Sequence, residues 1–324
     1  MTEAGKKMTH ANYTCDLHTH STRSDGSDTP REVIMRAKEN GVKILALTDH
    51  DIVPDDTDID AAGNRGSLSE YASSHGVTLL LGTEISCDTD VDDVHIVCLG
   101  CDWQDKWFKE LEYDVAISRT EGYKELVRRL NEDKIAVSWE EILYNGGHPV
   151  GEDHVLKKMI FELMAKKGYT KDWSEAKLLV KNTKRYQVKR KKPEPKTVIE
   201  MVHRTGGIAI LAHPFLISSR VMKDGKMTER KRYIDNHIEA GLDGIEACST
   251  YDKTSYEGTM NKTEIETYIR ETYGSRVRIL SGGSDYHADQ KKGVEDPRYV
   301  GECGVTETYF YENELLAGLL RSGK

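Results

Sequence analysis

The sequence predicts an α/β protein whose strands form a closed or nearly closed β/α barrel. Short apolar runs alternate along the chain with helix-like segments, in about seven such units. The apolar runs are continuous, which is typical of parallel strands covered by helices. The length of 324 residues suits one large α/β domain, or one such domain with an insert.

Each unit can be read from its own residues. After a first strand that ends at CDLHTH, the strands are predicted in the runs VKILALTDHD, VTLLLGTEIS, VDDVHIVCLG, IAILAHP, LDGIEACS and RVRILSGGSDYH. In the first helix Thr29 is a candidate N-cap, Pro30 takes the first helical position and Gly41 ends the segment. The weaker alternation in VDDVHIVCLG indicates that this strand can pair antiparallel with its neighbour.

Between about Asp102 and Lys192 the pattern changes to helices with no apolar strand among them. We therefore predict two domains, a barrel of residues 1–103 and 193–324 and a helical insert of residues 104–192. The insert closes with the basic run KNTKRYQVKRKK. This run is either a solvated helix end and linker, or a lid or electrostatic funnel for a polyphosphate or a short oligonucleotide.

The composition restricts the class of partner. A formal net charge of −9 argues against a protein that coats nucleic acid through clustered Lys and Arg, so no stable duplex partner is expected. No run reaches the 18 or so apolar residues that cross a bilayer, and MTEAGKKMTH lacks the apolar core of a signal peptide. We expect a cytoplasmic protein with no membrane partner.

Imidazole and carboxylate side chains stand at most of the predicted strand ends. In a parallel β/α barrel the C-terminal ends of the strands share one mouth, so these side chains should converge there. They are of the types that bind Zn²⁺, Mn²⁺ or Fe²⁺. The nine candidate ligands are His18, His20, Asp25, His50, Glu84, His95, His213, Asp285 and His287. One ion needs three or four of them, so the set predicts two or three divalent ions, which together can activate a water and clamp a phosphoryl group.

The motifs DLHTHSTRSDG, ALTDHD, GTEIS, VHIVCLG, AHP and GGSDYH, in this order, resemble those of the PHP (polymerase and histidinol phosphatase) phosphoesterases. The resemblance covers most of residues 14–103 and 193–290, and it implies a distorted seven-stranded β/α barrel with a trinuclear metal site. It assigns the ligands to three ions: His18, His20, Glu84 and Asp285; Glu84, His95 and His213; and Asp25, His50 and His287. It places Asp49 just outside the ligands, where it would orient a histidine through the second ring nitrogen.

The chain is also similar to a branch of stand-alone PHP enzymes that carry a helical insert. Members of that branch remove phosphate from nucleotides such as 3′,5′-bisphosphonucleotides, and some trim short RNA from the 5′ end. The resemblance therefore implies a small phosphate ester as substrate, a nucleotide or a short oligoribonucleotide, and hydrolysis by a metal-bridging hydroxide. The insert of that branch opens with an RPH-like element whose arginine binds phosphate. Here the place reads NGGHPVGEDHVLKKM and contains no arginine.

The insert offers other candidates for substrate contacts. His148 and His154 are candidate catalytic residues, as Asp49 is in the barrel. Lys157, Lys158 and Arg185 are candidate phosphate-binding cations, and Tyr186 is a candidate for stacking on a base. Glu246, at a strand end, is a candidate for a supporting residue beside the ligands.

Three alternatives stay open. The first is another phosphatase of the same fold, which acts on histidinol phosphate. Amidohydrolase chemistry is a second alternative, although no lysine stands at a strand end in the position that the carboxylated lysine of that class requires. A non-catalytic, metal-dependent binding module is the third, although every ligand position of the motif set is filled.

Overall fold

A computed structural model of the chain describes residues 12–59, 63–144, 148–152 and 155–321. The strands are β1 Cys15–Asp16, β2 Ile44–Leu47, β3 Thr57–Ile59, β4 Arg65–Ser67, β5 Thr78–Cys87, β6 Val94–Leu99, β7 Ile208–Leu211, β8 Arg220–Lys223, β9 Lys226–Glu229, β10 Gly244–Cys248 and β11 Ile279–Gly282. The α-helices are α1 Pro30–Asn40, α2 Leu68–Ser74, α3 Lys106–Glu132, α4 Trp139–Leu143, α5 Lys157–Lys166, α6 Trp173–Asn182, α7 Pro195–Arg204, α8 Arg230–Glu239, α9 Lys262–Tyr273, α10 Glu307–Glu312 and α11 Glu314–Arg321.

Seven strands form one sheet in the order β1-β2-β5-β6-β7-β10-β11. β6 is antiparallel to both of its neighbours, and the other pairs are parallel. The two edges of the sheet meet beyond β1 and β11, where Asp285 N donates to His18 O at 2.9 Å and His20 N donates to Tyr286 O at 2.9 Å. The sheet is therefore a nearly closed barrel, as predicted, and the antiparallel pairing of VDDVHIVCLG is confirmed.

The first helix shows how local sequence determines the path between strands. The Thr29 hydroxyl accepts a hydrogen bond from Glu32 N, and the Glu32 carboxylate accepts one from Thr29 N, which completes a capping box. Gly41 ends the helix at a φ of 83°, a left-handed conformation that glycine adopts without steric cost. α1 therefore begins and ends where the sequence predicts.

An apolar cluster fills the end of the barrel at which the parallel strands begin. Ile44, Ile208 and Ile279 are each the first residue of their strand, and all three belong to this cluster. α10 and α11 pack onto it through Phe310, which has no exposed surface, and Leu316. These two helices, with α4 and the hairpins β3–β4 and β8–β9, were not predicted from the sequence.

The chain divides into two compact units, Met1–Lys109 with Pro193–Lys324, and Glu110–Lys192. The second unit starts at Glu110, which lies within α3 and after the predicted insert boundary at residue 104. Its own apolar core includes Leu130 of α3, Ile160 of α5 and Val180 of α6. Within the ranges that the structure describes, no helix has both the length and the apolar character needed to cross a membrane.

Candidate metal centre

The candidate ligands lie at the other end of the barrel, where the parallel strands end. His18 and His20 follow β1, His50 follows β2, and Glu84 lies in the second half of β5. His213 follows β7. The same strands therefore carry apolar residues at one end of the barrel and ligand-type residues at the other.

His95 reaches this end by a different route, because it is the second residue of β6 rather than a residue after it. β6 runs antiparallel, so its N-terminal end lies where the parallel strands finish. His95 pairs with Ser86 of β5, two residues beyond Glu84. The reversed strand direction places an imidazole from the start of a strand in the same centre as the others.

Glu84 is the middle of the centre, and its side chain has no exposed surface. Its Oε1 lies 3.0 Å from His95 Nδ1 and 2.9 Å from His213 Nε2. Its Oε2 lies close to three further ring nitrogens: His18 Nε2 at 3.1 Å, His20 Nε2 at 3.2 Å and His50 Nδ1 at 3.1 Å. One buried carboxylate is thus surrounded by five imidazoles.

The charge of this carboxylate is maintained by its neighbours. Burial by itself raises the pKa of Glu84, but the imidazoles of His18, His50 and His95 hold that pKa well below its ordinary value. A metal ligand must be deprotonated to offer its lone pairs. Glu84 is therefore in the protonation state that an ion requires.

The hydrogen bonding of the centre fits bound cations. Glu84 Oε2 and His50 Nδ1 are buried and only 3.1 Å apart, yet neither atom has a hydrogen-bond partner within the described residues. Buried polar atoms are rarely left without one. Ligand atoms bound to one ion at about 2.0–2.2 Å stand roughly 3 Å apart, as these atoms do. The donor set, all imidazole nitrogen and carboxylate oxygen, suits Mn²⁺, Fe²⁺ or Zn²⁺.

Three overlapping groups of potential ligands occur in the described residues. They are His18, His20, Glu84 and Asp285; His20, Asp25, His50 and His287; and His50, Glu84 and His95. The first group has the composition that the resemblance implies. In the second, His20 joins the three implied residues. In the third, His50 stands where His213 was expected, although His213 Nε2 also lies 2.9 Å from Glu84 Oε1.

Glu246 of β10 holds two of the ligands in place. Its Oε1 is 2.8 Å from His18 Nδ1, and its Oε2 accepts a hydrogen bond from His213 N at 2.7 Å. When His18 donates through Nδ1, its Nε2 keeps a lone pair directed at the centre. Glu246 also restrains His213 at a φ of 25°, where L-residues are strained. The supporting role considered for Glu246 therefore has a structural basis.

The structure corrects the role expected of Asp49. Its carboxylate accepts hydrogen bonds from Ser21 N at 2.8 Å, Ser21 Oγ at 2.7 Å and Ser24 Oγ at 2.6 Å. In the described part of the chain it bonds to no histidine, so the prediction that it orients one is wrong. These bonds fix the loop that carries Asp25, and Asp49 acts on the centre through that loop.

Arg298 is a residue of the centre that sequence reasoning missed. Its Nη1 donates to Asp285 Oδ2 at 2.6 Å, and its Nε donates to Asp289 Oδ2 at 2.6 Å. The pair leaves Asp285 Oδ1 free to face His20 Nε2, which lies 3.2 Å away. Arg298 stands in a polar loop thirteen residues after Asp285. A single cation at such a position carries no recognisable sequence signal.

The candidate residues of the insert differ in their exposure and in their ion-pair partners. His148 is exposed, and His154 lies outside the described residues. Lys158 pairs with Glu162 at 3.6 Å, and Arg185 pairs with Glu132 at 2.5 Å.

Tyr186 is 5% exposed, and its hydroxyl donates to Asp133 at 2.8 Å. Tyr186 and Lys157 nevertheless line one cavity together with Arg190. The contribution of the insert residues to substrate binding stays a prediction.

Comparison with known proteins agrees with this geometry. The PHP domain matches residues 16–239. The 5′-3′ exoribonuclease Rnm of Salmonella typhimurium is 30% identical over 296 residues, which cover 87% of this chain and 89% of that protein. The 3′,5′-nucleoside bisphosphate phosphatase of Chromobacterium violaceum is 27% identical over 282 residues, covering 86% and 88%. A structure from Bifidobacterium adolescentis, described as that of a metal-dependent phosphoesterase, has a TM-score of 0.69 at 23% identity, covering 94% of this chain and 96% of that chain.

The barrel and its centre define a hydrolase that uses metal ions to act on phosphate esters. The chain belongs to the PHP domain family. The family and the enzyme class expected from the motifs are both confirmed.

Proposed function

We propose that the protein removes one phosphate from a nucleotide that carries two, such as a 3′,5′-bisphosphonucleotide. The observation that carries this proposal is the single carboxylate of Glu84 among five imidazoles, with Asp25 and Asp285 at the edges of the same centre. The relative from Chromobacterium violaceum, whose name specifies that substrate, supports the choice of nucleotide.

Two or three divalent ions held by these residues would neutralise the phosphoryl oxygens and make hydroxide available at neutral pH. The contribution of the protein residues is to present lone pairs in a fixed geometry. Glu246 accepts from Nδ1 of His18, which leaves Nε2 of that ring as the ligand atom. Arg298 bonds to Oδ2 of Asp285, which leaves Oδ1 directed at the centre. Asp49, through Ser21, holds the loop of Asp25. His18 and Asp285 are therefore oriented by partners that are not themselves ligands, and the loop of Asp25 is held in the same way.

A second candidate activity is removal of nucleotides from the 5′ end of short RNA. The name of the relative from Salmonella typhimurium favours it. So does the segment that follows α6, which packs against α3: Arg129 Nη1 donates to Arg185 O at 2.8 Å, and Lys191 N donates to Ser118 Oγ at 2.7 Å. Such an ordered basic segment can follow a phosphate backbone.

The test is release of inorganic phosphate or mononucleotide by the Mn²⁺-reconstituted full chain, with and without chelator. The panel contains adenosine 3′,5′-bisphosphate, 5′-AMP, histidinol phosphate and a 5′-phosphorylated RNA tetramer. We expect chelator-sensitive phosphate release that is fastest with the bisphosphate. Preference for histidinol phosphate, or no release from any member while bound metal is verified, contradicts the proposal. Mononucleotide release from the tetramer supports the second activity.

A further inference from the structure

Arg230, the first residue of α8, lies in an aromatic setting. Its guanidinium is 3.8 Å from the centroid of the Phe215 ring. Its Nη1 donates to the carbonyl oxygens of Phe215 at 3.3 Å and Ile217 at 3.0 Å. Phe215 in turn contacts Tyr268, with ring centroids 5.5 Å apart. The guanidinium is thus held in one orientation by a ring face and two carbonyls.

The positive charge of Arg230 is not balanced by a carboxylate. The next two residues of α8 are paired, Lys231 with Asp235 at 3.0 Å and Arg232 with Glu239 at 3.4 Å. Across the described ranges of the chain, Arg230 has no acidic residue within ion-pair distance. Burial among the aromatic rings lowers its pKa from the ordinary arginine value. A partly desolvated cation without a counter-charge is costly, and a bound anion would relieve that cost.

Arg230 is linked to the metal centre through Phe215, a residue of the short segment that follows His213. Phe215 is two residues after His213, and two residues span at most about 7 Å of chain. The turn between them is tight, since Leu216 N donates to His213 O at 2.9 Å. Phe215 N donates to the buried hydroxyl of Tyr251 at 3.3 Å, which fixes the ring under the guanidinium.

We propose that Arg230 binds a phosphate group of the substrate that is not hydrolysed, while the reacting phosphate occupies the metal centre. This inference rests on the proposed function and names the residue that selects a substrate with two phosphates. Nε and Nη2 have no acceptor among the described residues, and they form the edge of the guanidinium that binds two phosphate oxygens at once. Arg230 would supply from the barrel a guanidinium, a group that the segment NGGHPVGEDHVLKKM does not contain.

The alternative is that Arg230 only braces the turn at residues 215–217, and the experiment separates the two roles. Binding of adenosine 3′,5′-bisphosphate, 3′-AMP and 5′-AMP to the chelator-treated full chain is measured by calorimetry. KM and kcat are measured separately with Mn²⁺. The variants are Arg230→Gln, Arg230→Lys, which keeps the charge without the fork, and the control Arg232→Gln.

The wild type should bind the bisphosphate about tenfold or more tightly than 3′-AMP, because a charge-assisted bond to phosphate contributes at least that factor. Arg230→Gln should remove this difference in affinity, and it should raise KM for the bisphosphate with little change in kcat. Arg232→Gln should preserve the difference in affinity. Arg230→Lys should keep only part of it.

Equal affinity of the wild type for all three ligands overturns the inference, and so does equal weakening of all three by Arg230→Gln, which a brace would produce. If Arg230→Gln fails to fold, the wild-type ratio and Arg230→Lys decide. The calorimetric result stands apart from the release assay, so a failed subsite and a failed proposed function are distinguishable.

Discussion

The two ends of the barrel are built from the same strands with opposite chemistry. Where the parallel strands begin, Ile44, Ile208 and Ile279 pack with Phe310 in a cluster without charge. Where they end, Glu84 is equally buried but is surrounded by imidazoles. Apolar packing stabilises the fold at the first end. At the second end, burial of charged groups costs stability, and this cost is tolerated because the arrangement binds ions.

The largest effect is expected from Glu84→Gln, which replaces the shared carboxylate by a neutral group of nearly the same shape. We expect kcat to fall by roughly a thousandfold or more, since charge stabilisation at the reacting group is the largest catalytic contribution. Metal content measured by mass spectrometry should fall with it, while the circular dichroism spectrum stays unchanged. Wild-type activity in this variant would contradict the central position of Glu84.

Phe310→Ala tests the other end of the barrel. Removing a fully buried ring should lower the free energy of unfolding by about 3–5 kcal/mol, measured by denaturant titration. Activity of the folded fraction should be preserved. The control is Tyr311→Ala, because Tyr311 is 55% exposed and should change stability by no more than about 0.5 kcal/mol. Loss of metal in the Phe310 variant under folding conditions would show that the two ends are not separable.

Glu246→Gln sharpens the comparison by leaving every ligand in place. The variant weakens the acceptor of His18 Nδ1, so metal affinity should fall by about 10–100-fold. Chelator competition measures this affinity directly. Glu271→Gln on the exposed face of α9 is the matched control and should leave it unchanged. Unchanged affinity in Glu246→Gln would remove the supporting role.

Arg298→Lys should have the smallest effect, because lysine keeps a charge near Asp285 but cannot also make the two bonds to Asp289. We expect about a tenfold loss of metal affinity, and a larger loss in Arg298→Gln, by the same chelator competition. Equal affinities of the two variants would mean that the charge of Arg298 is irrelevant and only its shape matters.

The ligand end was largely predictable from the sequence, because a strand end followed by His or Glu is a local pattern. His18, His50 and Glu84 each carry this signal individually, and the parallel-barrel rule brings them together. His95 follows the rule only because β6 is reversed, which the weak alternation of its sequence indicated. The class of fold follows from the same periodicity.

What the sequence did not predict depends on contacts between distant segments. Arg298 reaches Asp285 from a polar loop, and Asp49 bonds to Ser21 rather than to a histidine. Neither choice of partner is encoded by local spacing. α10 and α11 were missed because they are short and follow a glycine-rich loop, and their burial depends on the far end of the barrel.

The overlap of the three ligand groups has a consequence for how ions enter. Each pair of groups shares one residue: Glu84, His20 or His50. A carboxylate has two oxygens and can serve two ions, but an imidazole nitrogen has one lone pair and serves one ion at a time. Occupancy of one position therefore changes the ligands that remain for the next. We therefore expect loading with metal to be a sequence of coupled equilibria, in which the stoichiometries at half-saturation and at saturation report different arrangements of the same eight side chains.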